Sequence, residues 1–113
     1  MDTAQLLTLV ENELDNRKAL HITTLDVRGK SSITDYMVVA TATSSRHAKS
    51  LCDYVMEKVK ENGQQPLGME GQHVSDWVLL DLGDVVVHVM TGPAREFYQL
   101  EKLWSVEGEK QTS

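Results

Sequence analysis

W-V-L-L-D-L-G-D-V-V-V-H-V-M, Trp77 to Met90, is the stretch on which the fold of this chain turns. Two strand-length apolar runs meet at Gly83-Asp84, a pair that suits a tight turn, so the stretch predicts a β-hairpin. Side chains alternate across a strand, which sets Val85, Val87 and Val89 on one face of the second run and Val86, His88 and Met90 on the other. Both faces are apolar apart from His88. Polar residues therefore stand where a plain core would have none.

Upstream of the hairpin, Tyr36 to Ala42 predicts another strand, its V-V-A centre long enough to be buried on both faces. His21 to Val27 is β-branched and strand-length, and the polar Arg28 to Ser32 after it suits a turn. Two helices fit around these strands. From Thr3 to Arg17, Leu6, Leu7, Val10 and Leu14 recur at helical spacing, with Asp2 or Thr3 as the N-cap. After Thr43-Ser44-Ser45, the residues Ala48, Leu51, Cys52, Val55, Met56 and Val59 form one apolar face, which stops at Asn62-Gly63. Leu67 to Glu70 reads as a short edge strand, because Pro66 lacks a ladder donor. Downstream, Thr91-Gly92 is a turn and Pro93 opens a last helix. In that helix Ala94, Phe97, Leu100 and Trp104 form the expected core-facing stripe, with Tyr98 and Lys102 off it. The order α-β-β-α-β-β-β-α, without repeat or long linker, predicts an α/β (α+β) fold: a mixed five-stranded sheet flanked by helices. With 113 residues, 41% of them hydrophobic, the chain has material for one core. The expected domain is residues 1–104, followed by a polar tail, 105–113, expected to be disordered.

Formal charge is -6. A molecule of that sign repels a phosphate backbone and attracts a basic protein surface, so free nucleic acid is not the expected ligand. Ribosomal proteins are the most abundant basic surfaces of a cytosol. No apolar run reaches the roughly 18 residues of a membrane helix, and M-D-T-A-Q has none of the regions of a signal peptide, so a cytoplasmic protein without membrane attachment is expected. The single cysteine, Cys52, lies on the apolar helical face and reads as a buried thiol in a reducing compartment.

Several groupings suggest chemistry. Thr43 to His47 lies at a strand-to-helix junction, where N–H groups, hydroxyls and an arginine could hold a phosphate, but Ser or Thr before a helix is also ordinary capping chemistry. Asp76, Asp81 and Asp84, with Asp35, invite a two-metal reading. Their spacing opposes it: Asp81 and Asp84 flank a turn glycine, and no acidic pair stands two residues apart on one strand face beneath a Gly-Ser loop. His21, His47, His73 and His88 lack metal-ligand spacing, and no catalytic triad is specified. No cofactor or metal is expected. What remains is surface: Trp77, Leu82 beside the turn, and Tyr98. Trp and Tyr favour interface centres, yet Trp77 could equally close the core.

These residues lie in a chain that resembles the ribosomal silencing factor family, also called Iojap. The resemblance runs from about Ile22 to Trp104 and is carried by L-D-V-R-G-K-S-S-I-T-D-Y (Leu25 to Tyr36), A-T-S-S-R-H (Ala42 to His47), P-L-G-M-E-G (Pro66 to Gly71), D-W-V-L-L-D-L-G-D-V-V-V-H-V-M and Y-Q-L-E-K-L-W (Tyr98 to Trp104). It implies a nucleotidyltransferase-like fold without the catalytic signature, and binding in place of catalysis. The implied partner is the large ribosomal subunit, through its fourteenth large-subunit protein, so that joining of the small subunit is obstructed and translation falls when nutrients are scarce. By motif, the implied docking residues are Trp77, Asp81, Leu82 and Tyr98, with Glu70 and Glu101 as acidic contacts. Thr41-Ala42-Thr43 departs from the family where a glycine often follows the first threonine, which weakens a nucleotide-cradling loop further. Two other functions compete: a nucleotide-binding or nucleotidyltransferase-like enzyme using Thr43 to His47 and Asp81 with Asp84, and a stand-alone homodimerisation module.

Overall fold

In a computed structural model of the chain, residues 1–32, 34–71 and 76–98 are described. Asp2 caps the first helix, α1 (Thr3–Asn16): its carboxylate accepts from the Gln5 N–H at 2.8 Å, while the Gln5 side chain accepts from the Asp2 N–H at 2.9 Å. This reciprocal pair satisfies two backbone donors that a helix start leaves without partners. The next helix, α2 (Ser45–Glu61), begins the same way, with the Ser44 hydroxyl accepting from the His47 N–H at 3.0 Å. Gly63, at φ +86°, follows its end in the left-handed conformation that glycine takes without strain.

Five strands lie between and after these helices: β1 (Leu20–Asp26), β2 (Tyr36–Ala42), β3 (Gly68–Glu70), β4 (Trp77–Asp81) and β5 (Val85–Thr91). Their spatial order is β1-β2-β5-β4-β3. The β2–β5 pair is parallel and the other three are antiparallel, so the sheet is mixed as expected. A parallel pair needs a crossover, and α2, β3 and β4 supply it between β2 and β5. β4 and β5 form the predicted hairpin, with Gly83 at φ +94° in its turn. The short β3 sits at the sheet edge.

Alternation divides the core in two. Val38, Ala40, Val87, Val89, Val78 and Leu80 face α1 and α2, where Leu6, Val10, Leu51 and Val55 complete the larger cluster. On the opposite face Leu25, Val27, Met37, Val39 and Met90 pack with Ala94 of α3 (Gly92–Tyr98), and Trp77 lies against them. β5, covered on both faces, is buried along its whole length.

Two local expectations are corrected. β1 is irregular between Leu20 and Thr23, and His21 takes φ +49°, so the strand is less regular than its β-branched sequence suggests. In α3, Ala94 packs on the sheet, but Phe97 is 78% exposed. The contact face is Ala94 with Tyr98, four residues apart, because Trp77 offers Tyr98 a ring to pack against. Leu100, Lys102, Trp104, His73 and the tail 105–113 lie outside the described residues.

Candidate functional site

Trp77 begins β4 opposite Met90 and belongs to the smaller-cluster face of the sheet. Its indole Nε1–H donates to His88 Nδ1 at 3.0 Å, and its ring packs on Tyr98 with centroids 4.5 Å apart. The side chain is half-buried: it closes the smaller cluster and still presents surface. Tyr98 is 49% exposed, and Phe97 meets it edge-on at 5.0 Å. Asp76, Trp77, Pro93, Ala94, Phe97 and Tyr98 together line an open cleft of about 370 Å³.

The strand register extends this face toward the sheet edge. Leu79 stands opposite both His88 on β5 and Glu70 on β3, so Glu70, Leu79, Trp77, Asp81 and His88 project to the same side. Glu70 is exposed; Leu79 and Asp81 are half-buried. The result is an aromatic and aliphatic strip with carboxylates along it.

Leu82 does not belong to this strip. It is 1% exposed and joins the larger core cluster, so its side chain cannot meet a partner without unfolding the hairpin end. Val78, Leu80 and Leu82 turn toward the helices while Trp77, Leu79 and Asp81 turn away. Glu101, the remaining acidic contact expected from the resemblance, lies outside the described residues.

His88 lies 5% exposed in the middle of β5. Since Nδ1 accepts the indole proton, the ring carries its own proton on Nε2, and that buried nitrogen has no hydrogen-bond partner among the described residues. Burial penalises the imidazolium and lowers the His88 pKa from 6.5 to about 4. The ring is neutral at neutral pH.

The groupings that suggested catalysis take part in hydrogen bonds that tie the fold together. In the loop before α2, the Thr43 N–H donates to His47 Nδ1 at 3.0 Å, and His47 Nε2 donates to the Arg17 carbonyl at 3.1 Å. Ser45 Oγ donates to an Asp76 carboxylate oxygen at 3.0 Å, so a phosphate approaching Ser45 would meet negative charge. Asp81 accepts from the Gly83 N–H at 2.9 Å within the turn, whereas Asp84 accepts from the Thr3 hydroxyl at 2.9 Å and so ties the hairpin to α1. Among the described residues no three His, Cys, Asp or Glu side chains converge as metal ligands. Cys52 is fully buried, and burial pushes its thiol up to about 12, well away from a reactive thiolate.

Arg95 is a residue that sequence reasoning missed. Its guanidinium donates to the Thr41 hydroxyl at 2.9 Å, the Thr23 hydroxyl at 3.0 Å and the His21 carbonyl, clamping α3 onto β1 and β2. Its partners are 54 to 74 positions away, so no local pattern could have found it.

Comparison with known proteins bears on what this surface is for. The family model described as "Ribosomal silencing factor during starvation" matches residues 1–113. The chain belongs to the ribosomal silencing factor family. A relative of that name from Haemophilus influenzae is 45% identical over 88% of this chain and 98% of its own. A mouse protein named "Mitochondrial assembly of ribosomal large subunit protein 1" is 32% identical, over 93% of this chain and 46% of its own. Among solved structures, a Chromobacterium violaceum protein has the same fold at a TM-score of 0.89, with 39% identity over 92% of this chain and 87% of that one.

Proposed function

We propose that this protein represses translation by docking on the large ribosomal subunit, through its fourteenth protein, and occupying space that the small subunit needs. The carrying observation is the family match over the full 113 residues. The name of the mouse relative, which refers to the large subunit, supports the choice of partner. Docking uses the strip formed by Trp77, Leu79 and Tyr98, with Glu70 and Asp81 facing basic side chains of the partner. Leu82, on the opposite face of the sheet, packs in the larger core cluster. Its neighbourhood requires no chemistry: occupancy alone inhibits, and nutrient limitation, when fewer active ribosomes are needed, is the setting in which it acts.

A standard-sized interface of about 1,200 to 2,000 Å² is enough to hold a domain of this size in place. Aromatic anchors contribute most in such contacts, because they bury large areas at little entropic cost. The reading is tested by sedimentation with purified large subunits and by light scattering of subunit joining. Wild-type protein is expected to sediment with large subunits and suppress joining. Trp77→Ala and Tyr98→Ala, verified as folded by circular dichroism, should each weaken retention by about thirtyfold, the equivalent of a hot-spot loss of roughly 2 kcal/mol. Undisturbed joining at saturating wild-type protein overturns the reading.

A further inference from the structure

We infer that His88 is a positioning residue for docking: it holds the Trp77 indole in the orientation that meets the partner. The inference rests on the docking function proposed above and adds a residue that does not itself lie at the surface.

Three observations carry it. His88 is the one polar side chain in the V-V-V-H-V-M run, 5% exposed between strands whose neighbouring residues are Val39 and Leu79. Its Nε2–H has no partner among the described residues, an arrangement that disfavours folding and that leucine or methionine at this position would avoid. Its other nitrogen accepts the Trp77 indole N–H at 3.0 Å, with the two rings 5.8 Å apart and tilted by 48°. The imidazole is therefore retained at a cost to the core, and the bond to the indole is what it provides. That bond satisfies the part-buried indole N–H, and it also fixes the ring. Trp has a single donor, so one fixed acceptor selects one ring orientation, while Tyr98 packs against the ring at 4.5 Å. An anchor held this way loses less freedom on binding.

The test uses the full chain with His88→Leu, Trp77→Phe and the double variant, measured by sedimentation with large subunits, by chemical denaturation and by the ¹⁵N–¹H indole resonance of Trp77, assigned through its disappearance in Trp77→Phe. His88→Leu is expected to unfold cooperatively, shift the indole resonance and weaken docking about fivefold to tenfold, the range of one lost hydrogen bond. In the double variant the loss should not exceed that of Trp77→Phe, because His88 acts through the indole N–H. Additive losses, or wild-type docking by His88→Leu, overturn the inference. If His88→Leu does not fold, His88→Asn and His88→Gln replace it: the asparagine oxygen falls near the Nδ1 position and should preserve docking, whereas glutamine should not. Equal docking by those two also overturns it. Wild-type protein that ignores large subunits sinks the docking function and this inference together; normal docking by His88→Leu while Trp77→Ala loses it sinks the inference alone.

Discussion

Trp77 and His88 illustrate how a strand position can serve both packing and surface. Alternation turns them to the same face, the hairpin register brings them close, and one hydrogen bond couples a buried ring to a half-exposed one. The neutral state of His88 has a measurable consequence. Its pKa lies near 4 in the folded protein and near 6.5 when unfolded, so between those values the unfolded chain binds the extra proton. Stability is complete above about pH 6.5 and falls as the pH is lowered toward 4, by an amount on the order of 3 kcal/mol. Asp26, held near 2 chiefly by its hydrogen bond with the Arg28 guanidinium, titrates below this window and does not mimic the effect. Urea unfolding of wild type and His88→Leu at pH 7.5, 6 and 4.5 should show a gap that changes with pH. A constant gap would contradict the assignment.

Local periodicity made α2 and the β4–β5 hairpin readable in advance. An apolar face at spacings of three and four, a serine before it and a glycine after it specify a helix without reference to the rest of the chain, and the helix runs Ser45–Glu61. Strand alternation around Gly83 does the same for the hairpin. The loop before α2 was ambiguous, since capping and phosphate binding use the same residue types. Its Ser44 hydroxyl accepts from the His47 N–H and caps α2, so Ser44→Ala should cost about 1 kcal/mol in chemical denaturation while leaving docking unchanged. Loss of docking by a folded Ser44→Ala protein would assign this loop a direct part in binding. In α3 the expected stripe fails at Phe97, which is exposed, whereas Tyr98, itself about half exposed, leans on the Trp77 ring; that contact depends on where the hairpin places Trp77.

For the molecule as a whole, the net charge is -6, which under the docking function proposed above favours approach to a basic partner. In that function long-range attraction raises the association rate and is screened by salt, whereas the proposed aromatic contacts govern dissociation. Stopped-flow binding to large subunits should therefore slow about tenfold in association between low and physiological salt, with little change in dissociation. A salt-independent association rate would remove the steering role. Element types and order and the family resemblance were all present in the linear chain, because turns, caps and hydrophobic periods are short-range properties. Leu82 shows the limit. Its place beside a turn suggested surface, but alternation along β4 combined with helices packed on one side of the sheet sends it into the core. The same holds for the pairing of Trp77 with His88 and Tyr98 and for the Arg95 clamp: each joins positions 11 to 74 residues apart, and only the strand order and helix placement bring them within bonding distance.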